Sequence, residues 1–211
     1  MHTIIFISTV HKATGKCSAE ELCKIINELS PEVIFLEALH DTYTEYQKLT
    51  FKSFGVYHKK LEISAIQRYS LIKPFKYVPV LDKGLSDSFE KKYNLVCENS
   101  ELQKLNDRYN SLAEMYGFEF LNGVESIKLQ EEMRAPESHL LNGHVLDKEA
   151  KDDINTYEDS MIRNIYLYCK NNHFNSAIYK CGVAHRKSII EKIGKHNGQE
   201  QIKLNWIVFG S

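Results

Sequence analysis

Five short stretches of the chain are apolar on both faces that a strand presents. They are Ile4-Ile5-Phe6-Ile7, Val33-Ile34-Phe35-Leu36, Tyr77-Val78-Pro79-Val80-Leu81, Ser176-Ala177-Ile178-Tyr179 and Leu204-Asn205-Trp206-Ile207-Val208-Phe209. The first four are bounded by polar residues and followed by helical spacing. Two-sided apolar runs of this length suit strands covered by helices, so the pattern predicts an α/β fold, a mainly parallel sheet of about five strands. Between the first two runs, Ser18-Ala19-Glu20-Glu21 has the form of a capping box, with Glu21 placed to reach back to the helix start. Leu22, Ile25, Ile26 and Leu29 then share one helical face, and Pro31 stops the helix. This strand–helix–strand unit implies a right-handed crossover.

Beyond the second run, residues Thr42 to Leu71 read as helix in one or two pieces, broken near Gly55. From Leu85 to Lys151 there is no strand pattern, and the helical stretches are highly charged. A single domain over residues 1–211 therefore carries a helical insertion at 85–151, either an inserted subdomain or a lid over a site. Leu102, Leu105, Tyr109, Leu112 and Tyr116 make one narrow stripe within it, while Arg134 to His144 carries turn residues and reads as a loop. A further helix is predicted over Asp152 to Cys169, with Ile154, Tyr157, Met161, Ile165 and Tyr168 in phase.

Charge and cysteine content narrow the function. Lys and Arg number 27 against 28 Asp and Glu, a net charge of −1, so there is no cationic surplus for a nucleic-acid partner. The five cysteines are odd in number and form no CxxC pair, which favours a reducing interior over a disulfide framework or structural zinc site. No segment reaches the roughly 18 apolar residues of a membrane span. The N-terminal residues read as a buried strand rather than a signal peptide, and a cytoplasmic protein without a membrane partner is expected.

The candidate chemistry lies at the strand ends. The first strand runs into Ser8-Thr9-Val10-His11, the second into Glu37, the third into Asp82, and the fourth into Cys181-Gly182-Val183-Ala184-His185. Carboxyl ends of parallel strands share one edge, where ligands bind. Two imidazoles and two carboxylates at one crevice would suit proton transfer at neutral pH or a divalent metal. Mixed nitrogen and oxygen ligands point to manganese, zinc or iron. Each residue also has an ordinary reading: Asp82 as a cap for a helix near Leu85, Cys181 as a buried inert thiol. P-loop, GxGxxG, HExxH and GxSxG motifs are absent from the sequence.

Four of these segments resemble motifs of the TraB, Tiki and erythromycin-esterase-like superfamily, which includes ChaN-like proteins. Ile4 to His11 is similar to its first strand and GTxH-type motif, with Ser8 in place of the glycine. Val33-Ile-Phe-Leu-Glu37 is similar to its second strand, and Tyr179-Lys-Cys-Gly-Val-Ala-His185 to its late VVGxxH motif. Glu158-Asp-Ser-Met161-Ile-Arg-Asn164-Ile165 resembles its helical segment, with Tyr157 where an arginine is usual. The resemblance covers the strand framework at both ends but not residues 85–151. It implies a hydrolase of ester or peptide-like bonds, with a small-molecule or peptide substrate, or else a haem- or metabolite-binding or degenerate member. Together the residues and the resemblance make His11, Glu37 and His185 the expected catalytic group, and the same three the expected metal ligands. Asp82, Glu158, Asn164 and Arg163 are further candidates. Glu158 is expected in solvent or paired with a lysine, Asn164 is placed to orient a loop carbonyl near His11, and Arg163 stands a turn and a half beyond the missing arginine.

Overall fold

The expected strands all form: β1 (Thr3–Thr9), β2 (Val33–Leu39), β3 (Lys76–Leu81), β4 (Ser176–Gly182) and β5 (Asn205–Val208). The computed structural model describes residues 1–41, 57–141 and 145–210, with residues 88–90 described by backbone alone. Every strand pair is parallel, and the sheet order is β3-β2-β4-β1-β5. The β4 strand is thus the centre, in register with β1 from Ser176 opposite Thr3 to Gly182 opposite Thr9. Its two-sided burial explains the apolar run: Ile178 and Tyr179 are both fully buried, on opposite faces.

Helices cover both faces. On one lie α1 (Ala19–Leu29) and α2 (Leu61–Ser70), packing Leu22, Ile26, Leu61 and Ile66 against Ile7, Ile34, Leu36 and Ile178. The opposite face carries α7 (Val145–Asn171) and α8 (Arg186–Gln199), whose Met161, Ile165, Ile189 and Ile193 pack on Phe6, Phe35 and Tyr179. Ser18 caps α1 as its sequence predicts, accepting the Glu21 N–H at 3.1 Å. Glu21 departs from the capping box, since its Oε2 accepts from Lys24 at 3.1 Å.

The segment between β3 and β4 is helical throughout its described part: α3 (Asp87–Val96), α4 (Ser100–Tyr116), α5 (Phe118–Asn122) and α6 (Val124–Leu140) precede α7. The Arg134 to His144 loop is corrected here. Helix α6 continues through Pro136 to Leu140, and residues 142–144 lie outside the described ones. Proline costs the helix one backbone hydrogen bond. Tertiary contacts offset it, as Lys92 of α3 reaches Glu137 at 3.1 Å and Asp147 at 3.3 Å, and Leu141 is buried. The α4 stripe buries Tyr109, but its last member, Tyr116, is 50 % exposed. The 152–169 helix is part of one longer element, so no break falls at residue 151. Of the predicted 42–71 helix, residues 61–70 form α2, and 42–56, including Gly55, lie outside the described residues. Among the described residues no helix is long and apolar enough to cross a membrane.

Ser8 takes part in a buried network that joins distant elements. Arg186 is buried at the start of α8 with neutral oxygens as its partners. It donates to Ser8 Oγ at 3.2 Å, Asn122 Oδ1 at 2.9 Å, Phe209 O at 2.9 Å and the Asn122 carbonyl. The Asn122 side-chain amide in turn accepts from the Ser8 N–H at 2.8 Å and donates to the Ser8 carbonyl at 3.1 Å. One guanidinium thereby joins β1, α5, α8 and the chain beyond β5. Stability should follow this architecture in urea denaturation. Ile178→Ala is expected to cost about 2–5 kcal/mol at the sheet centre, and Ser18→Ala about 1 kcal/mol at the α1 cap. Equal costs would contradict the assignment of β4 as the centre.

Candidate functional site

Strands β1 and β2 feed α1 and α2 on one face, whereas β4 feeds α8 on the other. Since β4 sits between β1 and β2, the face taken by the helix that follows each strand reverses on both of its sides. Such reversals open crevices at the carboxyl edge of a parallel sheet. Residues from the ends of β2 and β4, and from the loop after β1, gather there.

Glu37 is the central group. Its side chain is 10 % exposed, and both oxygens accept short hydrogen bonds. Oε1 accepts from the Tyr157 hydroxyl of α7 at 2.6 Å, and Oε2 from the Gly182 N–H at the end of β4 at 2.7 Å. Gly182 packs closely on the pair: a Cβ there would stand 3.4 Å from Glu37 Oε2 and 3.7 Å from His185 Cδ2, in ordinary van der Waals contact.

His185 follows in a 3-10 turn (Val183–His185) that places its ring between two carboxylates. Nδ1 lies 2.8 Å from Glu158 Oε1, and Nε2 faces Glu37 Oε1 at 3.6 Å. The ring stacks on Tyr157 with centroids 5.6 Å apart. Burial lowers the imidazole pKa, but the Glu158 hydrogen bond and the charges of Glu37 and Glu158 outweigh it, holding the value above 6.5. Of the two readings expected for Glu158, solvent exposure does not hold and pairing with a lysine does. It is 2 % exposed, and its other oxygen accepts from Ser188 and lies 4.0 Å from Lys192 Nζ.

A second imidazole–carboxylate pair lies on the β1 side. His11 Nδ1 is 3.1 Å from Oε2 of Glu62, the second residue of α2. Glu62 is buried and also accepts from the Thr9 hydroxyl at 2.8 Å. Its hydrogen bond raises the His11 pKa, with further help from the Glu62 and Glu37 charges. Burial opposes ionisation of Glu62, yet the His11 pairing and the charge of Lys180 hold it below its ordinary value. Lys180 is fully buried on β4, with its Nζ 3.3 Å from the Glu62 carbonyl, and burial pulls its pKa down to about 7. The His11 ring itself is 61 % exposed.

His11, Glu37, Glu62, Tyr157 and Lys60 line one cavity of about 230 Å³, walled otherwise by apolar side chains such as Leu36, Ile63 and Leu81. A second cavity of about 390 Å³ lies behind His185, bounded by Glu158, Ser188 and the insertion residues Lys92, Arg134 and Glu137. Glu37 lines the first cavity and His185 the second, with 3.6 Å between their facing atoms.

The remaining candidates divide cleanly. Asp82 is 48 % exposed in its side chain and binds Arg163 and Asn164, the latter at 2.7 Å. Asn164 also donates to Val80 O at 3.1 Å, so it secures the end of β3 and not a carbonyl near His11. Arg163 pairs with Asp82, and the Tyr157 hydroxyl donates to Glu37. The expected ligand set of His11, Glu37 and His185 does not gather. The three-residue group whose ligand atoms lie within 4.8 Å of one another, among the described residues, is Glu37, Cys181 and His185. Cys181, read as an inert thiol, is buried as expected but is a member of this group. Sequence reading missed Glu62, Lys180 and the role of Tyr157. An acid among Leu61, Ile63, Ala65 and Ile66, and a lysine inside the β4 run, were the available signals.

The pKa shifts set the pH dependence of stability. Both imidazoles bind their protons more tightly in the folded chain, so their contribution is complete below about 6.5 and is lost as pH rises through the elevated folded values. The Glu62 contribution is present above about 4.5 and is lost as pH falls through its depressed value. Lys180 works the other way, because its folded value of about 7 lies below the ordinary lysine range, so its burial costs less as pH rises above 7. The imidazole contribution is therefore read as a difference. The stability gap between wild type and Glu158→Gln in urea should be widest below about pH 6.5 and shrink as pH rises, and a gap that does not change from pH 6 to 8 would contradict the His185 pairing.

Comparison of the chain with protein-family models, with curated proteins and with solved structures finds no significant match in any of the three. What the site can do rests on its own geometry.

Proposed function

We propose that the chain is a hydrolase of an ester or peptide-like bond in a small molecule or peptide, with water activated beside Glu37 and His185. The observation that carries this reading is the double pairing of His185. With Nδ1–H committed to Glu158, the neutral ring presents the Nε2 lone pair towards Glu37 Oε1, 3.6 Å away. Two acceptors facing each other at that distance favour a proton between them, which makes the pair a base for a water molecule at the cavity wall.

His11 supplies the complementary group. Glu62 orients its Nδ1, which leaves Nε2 for a substrate in the 230 Å³ cavity. In this reading Glu37 and His185 take the proton of the attacking water, and protonated His11 gives one to the leaving oxygen or nitrogen. Tyr157 holds Glu37 in place throughout. The imidazole and carboxylate donors also fit a divalent cation, which when bound would lower the pKa of its water.

Ester and peptide libraries test the proposal. His11→Ala, His185→Ala and Glu37→Gln are each expected to lower kcat/KM by about 10²–10⁴-fold. The His11→Ala melting temperature should stay within a few degrees of wild type, since that ring is largely in solvent. Turnover that survives loss of both imidazoles would overturn the assignment.

A further inference from the structure

Cys181 and His185 stand four residues apart, on either side of the turn that ends β4. This brings the thiol sulfur and an imidazole nitrogen to the same carboxylate. The three side chains differ in softness: one carboxylate oxygen, one imidazole nitrogen, one sulfur. Sulfur is a poor ligand for magnesium, calcium and manganese, whereas the mixed set suits zinc. We infer that Glu37, Cys181 and His185 form a three-ligand centre for a zinc-class ion, with its fourth position open to the cavity lined by Glu37 and Tyr157.

The geometry bears on this at three points. Zinc bonds of about 2.0–2.3 Å place tetrahedral ligand atoms roughly 3.3–3.8 Å apart, and the His185 Nε2 to Glu37 Oε1 separation of 3.6 Å falls in that range. The sulfur comes within 4.8 Å of both, so a small closure of the Cys181 side chain completes the set. Glu158 on Nδ1 is the outer carboxylate that metal-bound histidines characteristically carry, fixing the tautomer so that Nε2 faces the ion. Three protein ligands and one free position are the ligand count of catalytic zinc sites. The use of that position for hydrolysis rests on the hydrolase reading above, with the ion in place of the free Glu37–His185 base as the group that acidifies the water; metal binding itself is measurable without it.

Binding releases the Cys181 thiol proton to solvent and forms a sulfur–metal bond without redox change. Co²⁺ is the probe, titrated into protein carrying Cys97→Ser, because Cys97 is exposed and the other cysteines are buried. A stoichiometric near-ultraviolet thiolate-to-cobalt band is expected, displaced by Zn²⁺ and not by equimolar Mn²⁺. Cys181→Ser should abolish the band; if it fails to fold by circular dichroism, Cys181→Ala replaces it. Glu158→Gln should keep the band and weaken zinc binding about 10–100-fold. Absence of stoichiometric cobalt uptake, a band that persists without Cys181, or preferential Mn²⁺ binding would overturn the inference. Zinc binding without turnover on any library would leave the centre standing and remove the hydrolase.

Discussion

The carboxylate of Glu37 is the constraint on which the site depends. A charge this far from water is costly unless donors surround it. Here they come from the Gly182 backbone after β4 and the Tyr157 hydroxyl on α7, with the His185 ring facing Oε1. Satisfying one group therefore ties the ends of two strands to a helix from the opposite end of the inserted segment. The His185 ring that faces Glu37 is held from its other side by Glu158. Removing Glu37 would release all of these restraints together.

Topology delivers the donors. Because β4 lies between β1 and β2, the two imidazole–carboxylate pairs approach the sheet edge from opposite faces. Glu62 comes from α2 on one side and Glu158 from α7 on the other. The long passage from β3 to β4 also has a chemical consequence. It ends in α7, which carries Tyr157 and Glu158, and its α3 and α6 close the cavity behind His185 through Lys92, Arg134 and Glu137.

Much of this was legible in the sequence. Strands buried on both faces are written as continuous apolar runs, and the polar residue that ends each run marks the functional edge. Glu37 and His185 were found in this way. Their partners were harder to read because each interaction spans distant sequence: 27 residues separate Glu158 from His185, and 51 separate Glu62 from His11. Position at a strand end also says nothing of side-chain direction. Asp82 meets the rule as well as Glu37 does, yet it turns to Arg163 and Asn164. Pro136 misled for a different reason, since local turn chemistry gave way to the packing of α6 against its neighbours. The middle segment has mostly exposed, charged helices, and its sequence carries little to specify their mutual arrangement.

The central claim is that His185 is held with its Nδ1 on Glu158 and its Nε2 facing Glu37. Long-range proton–nitrogen NMR on imidazole-labelled protein, recorded above the ring's titration, reads the tautomer directly. The account predicts a proton on Nδ1 and a bare Nε2. A proton on Nε2 with Nδ1 bare would mean that the ring is oriented otherwise, and the site as described would not exist.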